Sequence, residues 1–298
     1  MKKLMLATLS LIVIAGCVKD IPFADQPIPI SFDAGLSAVA TRAPITSTEG
    51  LPDATITGIQ ILRAADIASS PDWTAVSSVA TTANVSTAGA VSGFSTAQYY
   101  NANPALNAWF MAYYPSGTIT ANKVNWTITG QEDIIVAPSV GAGNKSSPTS
   151  ATLAFAHKLT QLQFYVKAAT ATAITQWGTL SSIKVNADTA LELTLSTNAL
   201  ASNTTPVNTD LTTSGAYPIT MTTSEASVGV IMVKPGTLGT IKVTTANSPE
   251  QSVSISGLTT TAAGSAHKIT LTFTELGGIT FTATLTDWVT GTAGTGSL

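Results

Sequence analysis

Apolar residues recur at every second position in short runs along most of this chain. Near the start, Ile28, Ile30, Phe32, Ala34 and Leu36 alternate with Pro29, Ser31, Asp33 and Gly35. Period two marks a strand with one buried and one solvated face. Near the end, Ile279, Phe281, Ala283 and Leu285 alternate in the same way with Thr280, Thr282, Thr284 and Thr286, just ahead of Asp287 and Trp288. Between them, the runs 56–62 and 108–114 predict core strands, the second closed by a Tyr114-Pro115-Ser116-Gly117 turn. Segments 124–129, 134–136, 153–166, 180–185, 191–195, 228–233, 240–245, 253–255 and 269–273 continue the strand-and-turn rhythm. Only 168–173 reads as short helix or loop. Many short strands with frequent turns predict an all-β chain built of sandwiches, against a parallel α/β sheet. The Gly/Ser/Pro-rich stretch 138–148 reads as a linker, which puts one sandwich at 43–147 and a second at 148–298.

Composition supports strands and removes several functions. The 298 residues include 50 Thr, 29 Ser and 43 Ala, and Thr suits a pleated surface better than a helix. The formal charge of −3 lacks the basic footprint that nucleic acid requires. One cysteine permits no disulfide framework and no CxxC site, and two histidines argue against a His-rich metal centre. No cofactor motif is present. Residues 141–146 lack the glycine spacing of a phosphate loop. Glu132-Asp133 reads as a solvated turn, and His157 and His267 as strand residues with local hydrogen bonds. An enzyme is therefore not expected.

The first residues look like an address. Met1-Lys2-Lys3 precedes an apolar run, 4–14, that is too short for a bilayer, which takes about 20 residues. It ends in Ile14-Ala15-Gly16-Cys17, and small residues before a cysteine resemble the bacterial lipobox. The expectation is a lipoprotein signal peptide at 1–16, cut before Cys17, whose thiol is lipidated. Val18-Lys19-Asp20 weakly resembles a surface-export signal of Bacteroides-type lipoproteins.

The two alternating strands carry one apolar order, Ile-x-Phe-x-Ala-x-Leu. Strands with interchangeable faces fit one groove, the first in cis and the other from a second molecule, with main-chain bonds giving affinity and side chains giving register. Arginine is scarce: the chain has only Arg42 and Arg63 against eleven lysines. Arg63 abuts a core strand, whereas Arg42 follows the first alternating strand in a polar stretch, where nicking is easiest. A cut between Arg42 and Ala43 frees the anchor and that strand, making 17–42 a propeptide.

The order of lipobox, Ile-x-Phe strand, Thr41-Arg42-Ala43, Tyr113-Tyr114-Pro115, the run 155–162 (FAHKLTQL) and the terminal 283–288 (ATLTDW) resembles the fimbrillin family of Bacteroidales, subunits of type V pili. The resemblance implies two tandem transthyretin-like β-sandwich domains and export as a lipoprotein to the outer membrane and cell surface. It also implies removal of the N-terminal strand (Ile30, Phe32, Ala34, Leu36) by an arginine-specific protease acting at Arg42. Polymerisation with copies of itself or related pilins then follows, through a donor strand of Ile279, Phe281, Ala283, Leu285 and Trp288. Stalk, anchor and tip subunits occur in the family; an Arg42 placed for cleavage favours a polymerising subunit over an anchor, and the expected absence of an added lectin-like domain favours stalk over tip. Asp188-Thr189-Ala190 resembles an O-glycosylation site with Thr189 as acceptor. Two other readings are a tip adhesin of the same pilus and a monomeric surface lipoprotein that binds glycans on a platform of Trp73, Tyr99, Tyr100 and Trp109.

Overall fold

The computed structural model of the protein describes residues 26–36, 47–48, 51–253, 258, 260–275 and 278–286. Within them the chain is built of strands, with one short helix, Ala171–Trp177. A seven-stranded sheet runs in the order Phe32–Leu36, Ala151–His157, Ile135–Gly141, Trp109–Tyr114, Ile56–Ala64, Val76–Val85, Val91–Ser92. Its central strands are apolar at consecutive positions because both faces are covered. Phe110, Ala112, Ile135 and Ala137 point into one core, and Met111, Tyr113, Ile134 and Val136 into another.

The first core lies inside the curl of this sheet, whose two edges meet. Asp33 of the first strand bridges to Ala90, and the Ala34 N–H donates to Gly89 O at 2.8 Å. Covering the other face is a four-stranded sheet, in the order Ala199–Ser202, Ala190–Thr194, Lys123–Thr127, Thr118–Thr120. Trp126 and Val124 stand opposite Leu191 and Leu193 in the ladder, and the Trp126 ring meets Tyr113 edge-on at 5.8 Å. Leu159, Met232 and Ala266 extend this second core towards the rest of the chain.

A sandwich of two four-stranded sheets encloses the third core. One sheet runs Ala226–Val233, Thr160–Ala168, Ala266–Phe273, Ile279–Thr286, and the other Asn208–Thr212, Leu180–Asp188, Ile241–Thr245, Ser248–Val253. Leu162, Phe164, Val166, Ile269, Leu271 and Phe273 from the first meet Ile183, Val185, Ile241 and Val243 from the second. The helix starts at Thr170, whose side chain accepts the Ala173 N–H, and ends before Gly178 at φ 73°. Its Trp177 packs edge-on against Phe273 at 5.3 Å and donates to Thr274 O at 2.8 Å.

The stretch 138–148 is not a linker. Its first residues complete the strand Ile135–Gly141, and Gly143–Asn144 pairs with Ser147–Pro148 in a hairpin. Ala142 between them is fully buried. The strands on either side, Ile135–Gly141 and Ala151–His157, pair antiparallel in one sheet. Residues 190–202 also return to the first half, through the Ala190–Thr194 and Lys123–Thr127 ladder. The chain thus does not divide at 147/148. Gly, Ser and Pro there serve a tight hairpin, where Gly143 takes φ 72° and a Cβ would lie 2.2 Å from Ser147 O. The run 153–166 is two strands, broken where the Lys158 N–H leaves the ladder to donate to Ile134 O at 2.8 Å.

Candidate functional site: the slot of the N-terminal strand

The segment 28–36 is bonded along both edges. On one side it runs parallel to Ala151–His157, with Phe32, Ala34 and Leu36 opposite Ala151, Leu153 and Phe155, and Ala151 N–H donates to Ser31 O at 2.9 Å. On the other side Ile30 N–H donates to Gln98 O at 2.8 Å, Ile28 O accepts from Tyr100 N–H at 3.1 Å, and Ala34 N–H reaches Gly89 O. Ile30, Ala34 and Leu36 are 7 %, 5 % and 2 % exposed, and Phe32 packs against the same core half-buried. The opposite face carries Asp33, whose Oδ2 accepts from Ser150 Oγ at 2.5 Å. Alternation was therefore enough to assign the buried face.

Phe32 enters an aromatic recess. Its ring centroid lies 4.5 Å from Phe94 at 37° and 4.8 Å from Phe110 at 80°. Arg63 stands over the Phe110 ring, with its guanidinium carbon 5.3 Å from the ring centroid. The same guanidinium donates to both carboxylate oxygens of Asp66, to Gln98 Oε1 at 3.1 Å and to Tyr99 O at 3.0 Å. One side chain thus ties the recess to the 98–100 wall that bonds the N-terminal strand. Its side chain is 15 % exposed, in keeping with a core-side arginine.

Among the described residues, the strand Ile279–Thr286 has one bonded neighbour in its sheet. It runs antiparallel to Ala266–Phe273, with Ile279, Phe281, Ala283 and Leu285 opposite Phe273, Leu271, Ile269 and His267. Ile279 packs half-buried against the third core. His267 is 5 % exposed, and burial pushes its imidazole below the ordinary 6.5.

The other residues singled out by the sequence fall elsewhere. Cys17, Arg42, Ala43 and Trp288 lie outside the described residues. Thr189 is buried, 4 % exposed, and its hydroxyl donates to Val207 O at 3.0 Å. A glycan on that oxygen would require this bond to break and the buried hydroxyl to reach the surface. The aromatic platform does not form. Trp73 and Tyr100 are buried in different cores, Trp109 donates to Ile67 O, and Tyr99 alone of the four is exposed. Glu132 sits at a turn and accepts from Thr129 N–H and Oγ1, both at 2.7 Å. Asp133, read as solvated with it, is instead 1 % exposed, its Oδ2 2.8 Å from Nδ1 of His157. Neighbours on an extended chain point to opposite sides, and here one side is the interior. The pair is sealed, with 1 % and 0 % side-chain exposure for His157 and Asp133, and so presents no base to a substrate.

The slot walls were not legible locally. Gly89, Phe94, Gln98 and Phe110 are separated from Phe32 by more than fifty residues, and no spacing rule connects them. Gly89 in a turn, flanked by Ala88 and Ala90, was the one available cue.

The described fold is nearly all β, arranged as sandwiches, and two solved structures share it. One, from Bacteroides uniformis, is a protein for which a role in cell adhesion has been suggested. It matches with a TM-score of 0.58 at 20 % identity, over 88 % of this chain and 99 % of that one. The other, from Bacteroides ovatus with the same suggested role, gives 0.57 at 16 % identity over 89 % and 99 %. No curated protein matches in sequence. A fimbrillin-like family model matches residues 41–288. The chain belongs to the fimbrillin-like family. It is accordingly a structural, non-enzymatic protein of the pilus-subunit type.

Proposed function

We propose that this protein is a pilus stalk subunit, exported as a lipoprotein through Cys17 and placed at the outer membrane. It is activated by an arginine-specific protease that cuts between Arg42 and Ala43. The cut separates the N-terminal strand from the body, and the emptied slot takes the strand Ile279–Thr286 of another copy. The observation that carries this reading is the slot itself. The first strand sits between two hydrogen-bonding edges, so its departure exposes two unpaired edges and an apolar floor at once. Unpaired buried-side backbone and apolar surface both favour a replacement strand. The C-terminal strand repeats the apolar order of the departing one and is bonded on one side in its own sheet.

Arg42→Ala, examined by N-terminal sequencing and electron microscopy of surface fibres, should give uncut precursor and no fibres. Wild-type fibre levels from uncut chains would sink the cleavage step. Deleting 279–298 should leave monomers, and intact fibres would place the donor elsewhere. The sequence of the mature N-terminus is decisive between pilin and monomeric lipoprotein: Ala43 for the first, blocked Cys17 for the second.

A further inference from the structure

We propose that the slot selects its incoming strand by a three-position code: a phenyl ring at the second apolar position, a methyl at the third and, where Leu36 is buried to 2 % exposure, a leucine-sized side chain at the fourth. This code picks residues 279–285 of a second copy out of all strands of similar length and alternation. The proposal rests on the strand-exchange reading above.

The ring position is set by Phe94 and Phe110. They meet Phe32 at 4.5 and 4.8 Å, one tilted and one edge-on, and the Arg63 guanidinium stands over the Phe110 ring. Edge-to-face geometry rewards an aromatic ring beyond its apolar area, so a branched aliphatic chain of similar bulk fits less well. The methyl position is set by burial between two fixed edges. Ala34 is 5 % exposed and its strand is bonded on both sides. At one edge the backbones are so close that a Cβ on Gly89 would stand 2.5 Å from Ala34 O, which leaves the strand no room to shift outwards. With both neighbours held by hydrogen bonds, the floor has little freedom to yield to a larger side chain.

Applied to the chain, the code is selective. Phe-x-Ala-x-Leu occurs at 32–36 and at 281–285 and nowhere else. The strand Thr160–Ala168 offers a ring at Phe164 but Val166 two residues on, and Trp109–Tyr114 offers Phe110 and Ala112 but then Tyr114. Both are therefore refused, one for its β-branched third position and the other for its bulky fourth. A slot with these preferences does not refill from strands exposed while the chain is still folding.

The test uses full-length chains that undergo processing, with fibre yield as the readout and monomer melting temperature as a control on folding. Phe281→Leu and Ala283→Leu should each lower fibre yield at least tenfold. Phe281→Trp should fail on wild-type slots but assemble in a mixture with Phe94→Ala chains, whose recess is larger. Such a rescue cannot come from a general loss of stability. Wild-type yields from Phe281→Leu and Ala283→Leu, in a system where deleting 279–298 abolishes fibres, would overturn the code and leave strand exchange standing. Fibres that survive the deletion would overturn strand exchange and the code with it.

Discussion

The two terminal strands have the same apolar order, Ile-x-Phe-x-Ala-x-Leu, and very different surroundings. The N-terminal one lies between a parallel strand and the 86–100 segment, with bonds to both, and buries Leu36 to 2 % exposure. The C-terminal one is bonded, among the described residues, to a single antiparallel neighbour at the end of its sheet. Side-chain order decides which face goes inward, whereas the number of hydrogen-bonding edges decides how firmly a strand is held. A strand held on one side is the easier one to lend, and a slot with two edges is the better one to fill.

This comparison can be broken or sharpened by substitution. The largest effect is expected in the slot floor, where Phe110→Ala should cost about 3–5 kcal/mol in chemical denaturation of the precursor. Phe110 is fully buried and supports both Phe32 and Arg63. Leu36→Ala should follow at about 2–5 kcal/mol. Ile279→Ala, half-buried in the one-sided strand, should cost roughly 1 kcal/mol, since full burial of such a side chain contributes only about 1.5–3 kcal/mol. Equal losses for Leu36→Ala and Ile279→Ala would mean that the two strands are held alike.

A smaller effect comes from pH. Burial lowers the His267 pKa in the folded state, so the unfolded chain binds the extra proton. Stability should therefore fall as pH drops through about 6.5, the unfolded value, and be recovered above it. Because His267 stands opposite Leu285 in the ladder, hydrogen exchange in 279–286 should speed up on acidification while that in 28–36 responds less. A pH profile that His267→Gln leaves unchanged would assign the effect to another group. The smallest effect is expected at Thr189→Ala, about 1 kcal/mol for the lost bond to Val207 O, with peptide mass spectra free of glycan at Thr189.

Much of the strand content was legible because alternation and continuous apolar runs report burial directly. The runs 56–62 and 108–114 and the N-terminal strand behaved as read, and 279–286 forms a strand as expected. The strand Val76–Val85 escaped notice because Ser77, Ser78, Thr81 and Thr82 weaken the apolar signal on its open face. The hairpin at 143–148 was taken for a linker because the residues that permit a tight turn are also those of a flexible tether. Asp133 looked like a surface acid until its partner, His157, appeared across a strand pair. A sequence lists polar residues but not the long-range neighbour that makes burial tolerable.

The sequence by itself determined the all-β class, the inward faces of the strands and the repeated Ile-x-Phe-x-Ala-x-Leu order, because each depends on residues within one strand. Tertiary structure alone decided that the first strand has two bonded edges, that Phe94, Phe110 and Arg63 converge on Phe32, and that the second core draws strands from both halves of the chain. Those features depend on which strands curl back to meet, and such contacts between distant residues leave no local period to read.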